Sequence, residues 1–285
     1  MFEGDISEIA LYPTVLSAVE VSTLYNAQRD ALTEQLTSDR IEDLLETAGV
    51  TTHDLEVGQS TMAATDPTGS VLDEIFKAVD TESGQFFITG DGTARFHDRH
   101  YRLLSQTVPI DTFDGGSGSD LTYYEIEPSY DDSQLWTQVQ VTPSSGDPFT
   151  ATADATVLSA YGTRTLPLTT YPADANEAAD QANHLLGVYS EPSTRIDRIV
   201  FRLGKHADLW PIILGAEIGN RYTIGKTLAG DDLAQDVYLE AISHRISATK
   251  EWEVEWQLSP AVSQEFWLLG EAGFSELGET TTLGF

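Results

Sequence analysis

Glu251-Trp-Glu-Val-Glu-Trp-Gln-Leu258 decides what kind of chain this is. Trp252, Val254, Trp256 and Leu258 alternate with Glu251, Glu253, Glu255 and Gln257. A period of two sends successive side chains to opposite faces of a strand, so one face is buried and the other is wet and acidic. Working outward, Val237–Ile246, Ile212–Ile224, Ile196–Leu203, Val157–Leu166 and Leu135–Thr142 also read as strands. One helix is predicted among them at 174–186, where Ala175, Ala178, Ala179, Ala182, Leu185 and Leu186 recur at helical spacing. Strands at this spacing with a single crossing helix predict a compact antiparallel barrel or sandwich.

The preceding segment has a different pattern. Residues 38–49 predict a helix with Ile41, Leu44, Leu45 and Ala48 inward and Gly49 as its left-handed stop. Ser70 caps a second helix with Leu72, Ile75, Phe76 and Val79 buried. Gln85–Thr89, the turn Gly90-Asp91-Gly92 and Thr93–Phe96 then form a β-hairpin. At the start, 5–12 reads as a strand closed by Pro13, and Ser17-Ala-Val-Glu20 is a capping box opening a helix. The expected class is therefore α+β, a small helix–hairpin unit followed by an antiparallel β-barrel or sandwich. The expected domains are 1–36 (strand and helix), 37–108 (small α/β), 109–265 (barrel) and 266–285 (tail).

Charge is the outlier in the composition. Asp and Glu number 46 against 15 Lys and Arg, a net charge of −31, and only Lys77, Lys205, Lys226 and Lys250 are lysines. In dilute buffer such a charge repels itself; in molar salt the screening length falls to about 3 Å and a hydrated carboxylate surface remains. Acidic excess with so little lysine resembles the proteins of halophilic archaea. Nucleic acid is not an expected partner, because there is no basic patch to displace counterions. Cysteine is absent, which removes disulfides, thiol catalysis and thiolate zinc sites. The opening MFEGDISEIALYP has neither a basic leader nor an apolar core, so no signal peptide and synthesis in a cytoplasm are expected. No apolar run reaches the roughly 18 residues of a membrane span, so insertion into a membrane is not expected either.

An ordered series of segments resembles a known family. Asp39-Arg40-Ile41 through Gly49, Val71–Val79 into Glu82-Ser-Gly-Gln-Phe-Phe-Ile88, and Gly90-Asp-Gly-Thr-Ala-Arg-Phe-His-Asp-Arg99 come first. Glu127-Pro-Ser-Tyr-Asp-Asp132, Val139–Thr142, Ala160-Tyr-Gly-Thr-Arg164 and the alanine helix follow. Leu209-Trp-Pro211, Ile218-Gly-Asn220, Tyr238–His244, Trp252–Pro260, Trp267-Leu-Leu-Gly270 and the terminal Phe285 complete it. Together, residues 37–285 resemble the C-terminal half of baseplate hub or tail-tip proteins of long-tailed, siphovirus-like phages. Thr137 departs from that pattern, standing where asparagine is expected. Residues 3–27 are similar to the last strand and trailing helix of a laminin-G or concanavalin-like module.

The resemblance implies a structural virion protein at the distal end of the tail of a haloarchaeal virus, forming a homotrimer. Its implied partners are a distal tail protein, the tape measure and a polypeptide supplying the missing N-terminal half of the hub. Trp267 and Phe285 are the candidate subunit contacts. A carbohydrate-binding or adhesion module is the alternative, motivated by the lectin-like start and the tryptophans.

No catalytic, metal or cofactor site emerges from the residues. His97 and His100 are two imidazoles three apart on an extended stretch, which sends them to opposite faces, and zinc needs further ligands. Gly115-Gly-Ser-Gly-Ser-Asp120 is one copy of a calcium-repeat core that needs stacked neighbours. His206 with Asp208, and His244 beside Ser243, lack a nucleophile elbow. Arg99, Arg102 and Arg164 are expected in salt bridges. Trp210 is a candidate sugar-stacking ring, whereas alternation puts Trp252 and Trp256 in the core.

Overall fold

The computed structural model describes residues 12–21, 34–65, 69–114, 121–129, 134–144, 146–190, 195–228, 231–247 and 252–261. The expected strand at 5–12 (Tyr12 apart), the Gly115–Asp120 loop, Trp267, Phe285 and the 266–285 tail lie outside them. The N-terminal capping box is present: the Ser17 N–H donates to Glu20 Oε2 (2.7 Å) and the Glu20 N–H donates to Ser17 Oγ (3.2 Å), with residues 18–21 helical.

The first unit runs β1 (Gln35–Leu36), α1 (Thr37–Thr47), β2 (His53–Leu55), β3 (Thr61–Met62), α2 (Val71–Glu82), β4 (Gln85–Ile88), β5 (Ala94–His97) and α3 (Tyr101–Leu104). Gly49 ends α1 at φ +77°, where a side chain is strained. Ser70 and Asp73 form a full capping box at α2. Strands β4 and β5 pair antiparallel with Phe86 opposite Phe96. Strand β2, unforeseen in the sequence because HDL is too short to show a period, joins β5 in parallel. Ile41, Leu45, Met62, Ile75, Ala78, Val79, Ala94 and Phe96 form this unit's core. Three positions differ from the sequence expectation: Leu72 and Phe76 are exposed, and so is Ala48. Helix α2 is rotated so that Glu74, Thr81 and Glu82 are buried instead, because its polar side faces other parts of the molecule.

The rest of the chain builds two sheets. A six-stranded, curled, open sheet contains β6 (Thr112–Asp114), β7 (Glu125–Ser129), β11 (Arg195–Arg202), β12 (Arg221–Leu228), β13 (Asp231–Ile246) and β14 (Trp252–Pro260), in the order β6-β12-β13-β14-β11-β7. A three-stranded sheet contains β8 (Gln138–Pro143), β9 (Phe149–Thr152) and β10 (Thr165–Thr170), in the order β10-β8-β9. The architecture is the mixed α+β class read from the sequence. Two pairings, β8 with β10 and β6 with β12, are parallel. The three-stranded sheet is an insertion: β7 and β11 are antiparallel neighbours with Ser129 opposite Arg195, and the intervening chain leaves and returns at one place. The Trp136 N–H donating to the Tyr189 carbonyl (2.9 Å) closes that neck.

Two strand boundaries move. Residues 155–161 form helix α4 rather than the start of a strand, because Asp154 accepts from the Thr156 and Val157 N–H groups and Gly162 (φ +74°) stops it. That cap overrides the β preference of Val157. Leu209–Leu214 is likewise a short helix, α6, followed by the turn Glu217–Asn220, so the strand expected from Ile212 begins at Arg221. Helix α5 (Ala175–Tyr189) lies on the three-stranded sheet, with Ala178 and Ala182 against Val139, Val141 and Ala151.

The large sheet's inner face is aromatic. Trp256, fully buried, stands 4.8 Å from the rings of Phe201 and Tyr222 and 5.6 Å from Phe113. Val254 and Leu258 are buried with it, as the alternation required. Edge strands are blunted: β7 carries Glu125, Glu127 and Pro128, and β10 carries Pro167.

Candidate functional site

The groups with unusual environments gather where the first unit meets the other two. Arg99, just past the hairpin, donates from Nε to Glu82 Oε1 (3.0 Å) and from Nη2 to Glu177 Oε1 (3.1 Å) on α5 and to Ser60 Oγ. The Glu82 side chain is wholly buried and also accepts from Thr37 Oγ1 (2.7 Å) and the Ser60 N–H (2.8 Å). Burial pushes its carboxyl up, but the Arg99 charge and these hydrogen bonds outweigh that and hold it below the usual carboxylate value. Gly58 is required here, since a Cβ at that position meets Thr37 Oγ1 at 1.9 Å. Gln181 extends the join, donating to the Asp80 carbonyl (2.9 Å) and Ser83 Oγ (2.9 Å).

A second contact reaches the large sheet through a β-bulge. Along β13, Leu239 faces Leu258 and Ala241 faces Gln257, so Glu240 is the extra residue. A bulge re-aims its side chain. Both Glu240 oxygens accept from Arg102 Nη2 (2.7 Å), and Oε2 also accepts from Gln85 Nε2 (3.1 Å). The Arg102 guanidinium lies 4.8 Å from the centre of the Tyr238 ring. Nearby, Arg95 pairs with Glu217 and with Asp54.

His97 sits inside this seam, not in a metal site. Its buried ring stacks on Tyr101 at 3.5 Å and meets Phe87 edge-on at 5.4 Å. Burial, with Arg95 adding to it, lowers its pKa to about 4, so it is neutral at pH 7. Gly219 (φ +89°) passes so close that a Cβ there meets Gln85 Oε1 at 2.8 Å. His100 contributes a backbone N–H that donates to Asp98 Oδ1 (2.9 Å). Among the described residues no group of three or more His, Cys, Asp or Glu could hold a metal ion.

The other sequence candidates lie apart. The His206 backbone shapes the entry to α6, with Asp208 exposed beside it. His244 accepts at Nδ1 from Trp252 Nε1 (3.2 Å), while Ser243 is exposed opposite Glu255. Trp210 donates to the Leu203 carbonyl (3.1 Å) and packs edge-on against Trp252 at 4.9 Å, which occupies both rings. Arg99 and Arg102 are in ion pairs as expected; the Arg164 N–H donates to Thr137 Oγ1 (2.9 Å). Thr137 also donates to the Gly162 carbonyl (2.7 Å), so its hydroxyl clasps the return loop.

A cleft of about 450 Å³ is lined by Glu34, Gln59, Thr61, Ala173, Asp174 and Glu177. This lining carries three carboxylates and no basic side chain, and Glu177 is bound to Arg99. No helix of the described residues is long and apolar enough to cross a membrane. Sequence reasoning missed Glu82, Glu177 and Glu240. With 46 acids in the chain, nothing in their local sequence separates these three from the rest.

The sequence matches no protein-family model and no curated protein significantly. The fold is shared with solved phage-type tail proteins. The tail protein from Neisseria meningitidis MC58 superposes with a TM-score of 0.57 at 14% identity, covering 81% of this chain and 68% of that one. The 43 kDa tail protein of prophage MuSo2 from Shewanella oneidensis gives 0.51 at 10% identity, covering 80% and 64%. At these identities the likeness is one of fold, and this chain spans about two thirds of either protein.

Proposed function

We propose that the chain is a structural component of a viral tail, a hub or tip protein assembling with other tail proteins at the tail's distal end. The observation that carries this is the fold held in common with tail proteins over about four fifths of the chain. The ion pairs that tie the first unit to the two sheets, Arg99 with Glu177 and Arg102 with Glu240, support a part that is assembled as one body. The acidic surface supports a halophilic archaeal host. The proposed assembly is a homotrimer, with Trp267 and Phe285 reaching a neighbouring subunit and the distal tail protein and the tape measure as partners.

Electron microscopy of tails labelled with antibody against this chain tests the location. Label confined to the tail's distal end is the expected result. Particles labelled on the head, or along the whole tube, overturn the hub assignment.

A further inference from the structure

In a chain of net charge −31, one exposed sheet face carries no charge at all. Residues 133–173, 41 positions, contain three charged side chains (Asp147, Asp154 and Arg164), whereas 21% of the whole chain is charged. Helix α5 covers one side of the three-stranded sheet. On the other side, cross-strand register aligns Thr165, Gln138 and Thr152 in one row and Pro167, Gln140 and Thr150 in the next. Gln138 ties its row together, donating to Thr152 Oγ1 (3.3 Å) and accepting from Thr165 Oγ1 (2.7 Å). Both outer columns are exposed, and Thr169 beside Thr142 continues the face. At one end stands α4, in which no residue is buried although Val157, Leu158 and Tyr161 are apolar. Of the three charges in the segment, Asp154 is turned to capping that helix.

We propose that this face is where a second copy of the chain docks, an inference resting on the assembly role proposed above. Another copy brings the same charge of −31. Two such surfaces repel wherever carboxylates oppose, and burying a carboxylate without a partner is costly. The charge-free face avoids both. Its threonine methyls, the Pro167 ring and the apolar side chains of α4 supply area that gains from leaving water. The ordered Gln138 row gives the face a fixed shape before contact.

Sedimentation velocity on the full chain in molar potassium chloride, over a range of concentrations, reads the association directly. Thr150→Glu with Thr169→Glu, on the two outer strands, is expected to weaken self-association at least about a hundredfold, since each then buries a carboxylate without a partner in the contact. Gln257→Glu, on the exposed side of β14, adds a carboxylate outside the face and is expected to leave association unchanged. Circular dichroism and melting temperatures confirm that each variant is folded. A double variant that associates like the parent overturns the proposal, and so does a parent that stays monomeric at every concentration. Tail-tip labelling combined with a monomeric parent removes the docking face and keeps the tail role. Oligomers abolished by the double variant, from a protein that does not label tails, keep the face and remove the tail role.

Discussion

Arg99 and Arg198 each hold several carboxylates, yet they occupy opposite environments. Arg198 lies on the outer face of the large sheet and pairs with Glu127 (2.9 Å), Glu125 (3.0 Å) and Glu255 (3.1 Å), each on a neighbouring strand. Its guanidinium pKa is raised by these bonds, Glu127 first. Arg202 continues the ladder to Glu253 (2.8 Å). All of these side chains are partly open to water, so the attraction is screened and the groups are well solvated without one another. Arg99 is nearly buried and Glu82 wholly so. There the attraction is stronger, and removing one member strands the other without water. Identical chemistry therefore decorates one place and locks another.

Breaking the buried member has the largest expected effect. Arg99→Ala leaves Glu82 unpaired and is expected to cost about 3–5 kcal/mol in denaturant unfolding. A loss under about 1 kcal/mol means that the seam is not a lock. The substitution also weakens a pH dependence. In the parent the Glu82 carboxyl is depressed, so its contribution is present above the unfolded carboxylate value and lost as pH falls through the lower folded one. Without Arg99, burial is opposed only by the Thr37 and Ser60 bonds, so the carboxyl rises from its folded position in the parent and less stability is lost on acidification.

His97 sharpens the contrast next. Its pKa falls from 6.5 unfolded to about 4 folded, so the unfolded chain binds the extra proton between those values. Stability is expected to drop by about 3 kcal/mol as pH falls across that window, and His97→Gln should flatten this limb of the stability–pH curve. Parallel curves for parent and variant would contradict a buried neutral imidazole. On the open ladder, Arg198→Ala is expected to cost no more than about 1 kcal/mol despite three partners, and less in molar salt. A cost that persists in molar salt breaks the comparison. Smallest of all, Thr150→Glu should change monomer stability by about 0.5 kcal/mol or less, since the side chain is exposed. Its thermal melt checks this apart from any effect on association.

Local sequence carried much of this architecture. The tryptophan–glutamate alternation at 251–258, the capping boxes at Ser17 and Ser70, the hairpin turn at Gly90–Gly92 and the alanine stripe of α5 are local signals, set by side-chain period and cap chemistry over a few residues. The scarcity of charge from 133 to 173 is equally legible. Where a local signal conflicted with another, as at Asp154 before Val157 and Leu158, the cap prevailed. Tertiary structure alone decided the rest: which of 46 acids become the partners of Arg99 and Arg102, the rotation of α2 that exposes Leu72 and Phe76, and the insertion of one sheet between two adjacent strands of another. Those outcomes depend on groups up to 155 positions apart, as with Gln85 and Glu240. No period or cap encodes such a distance; it is set by which faces exclude water together.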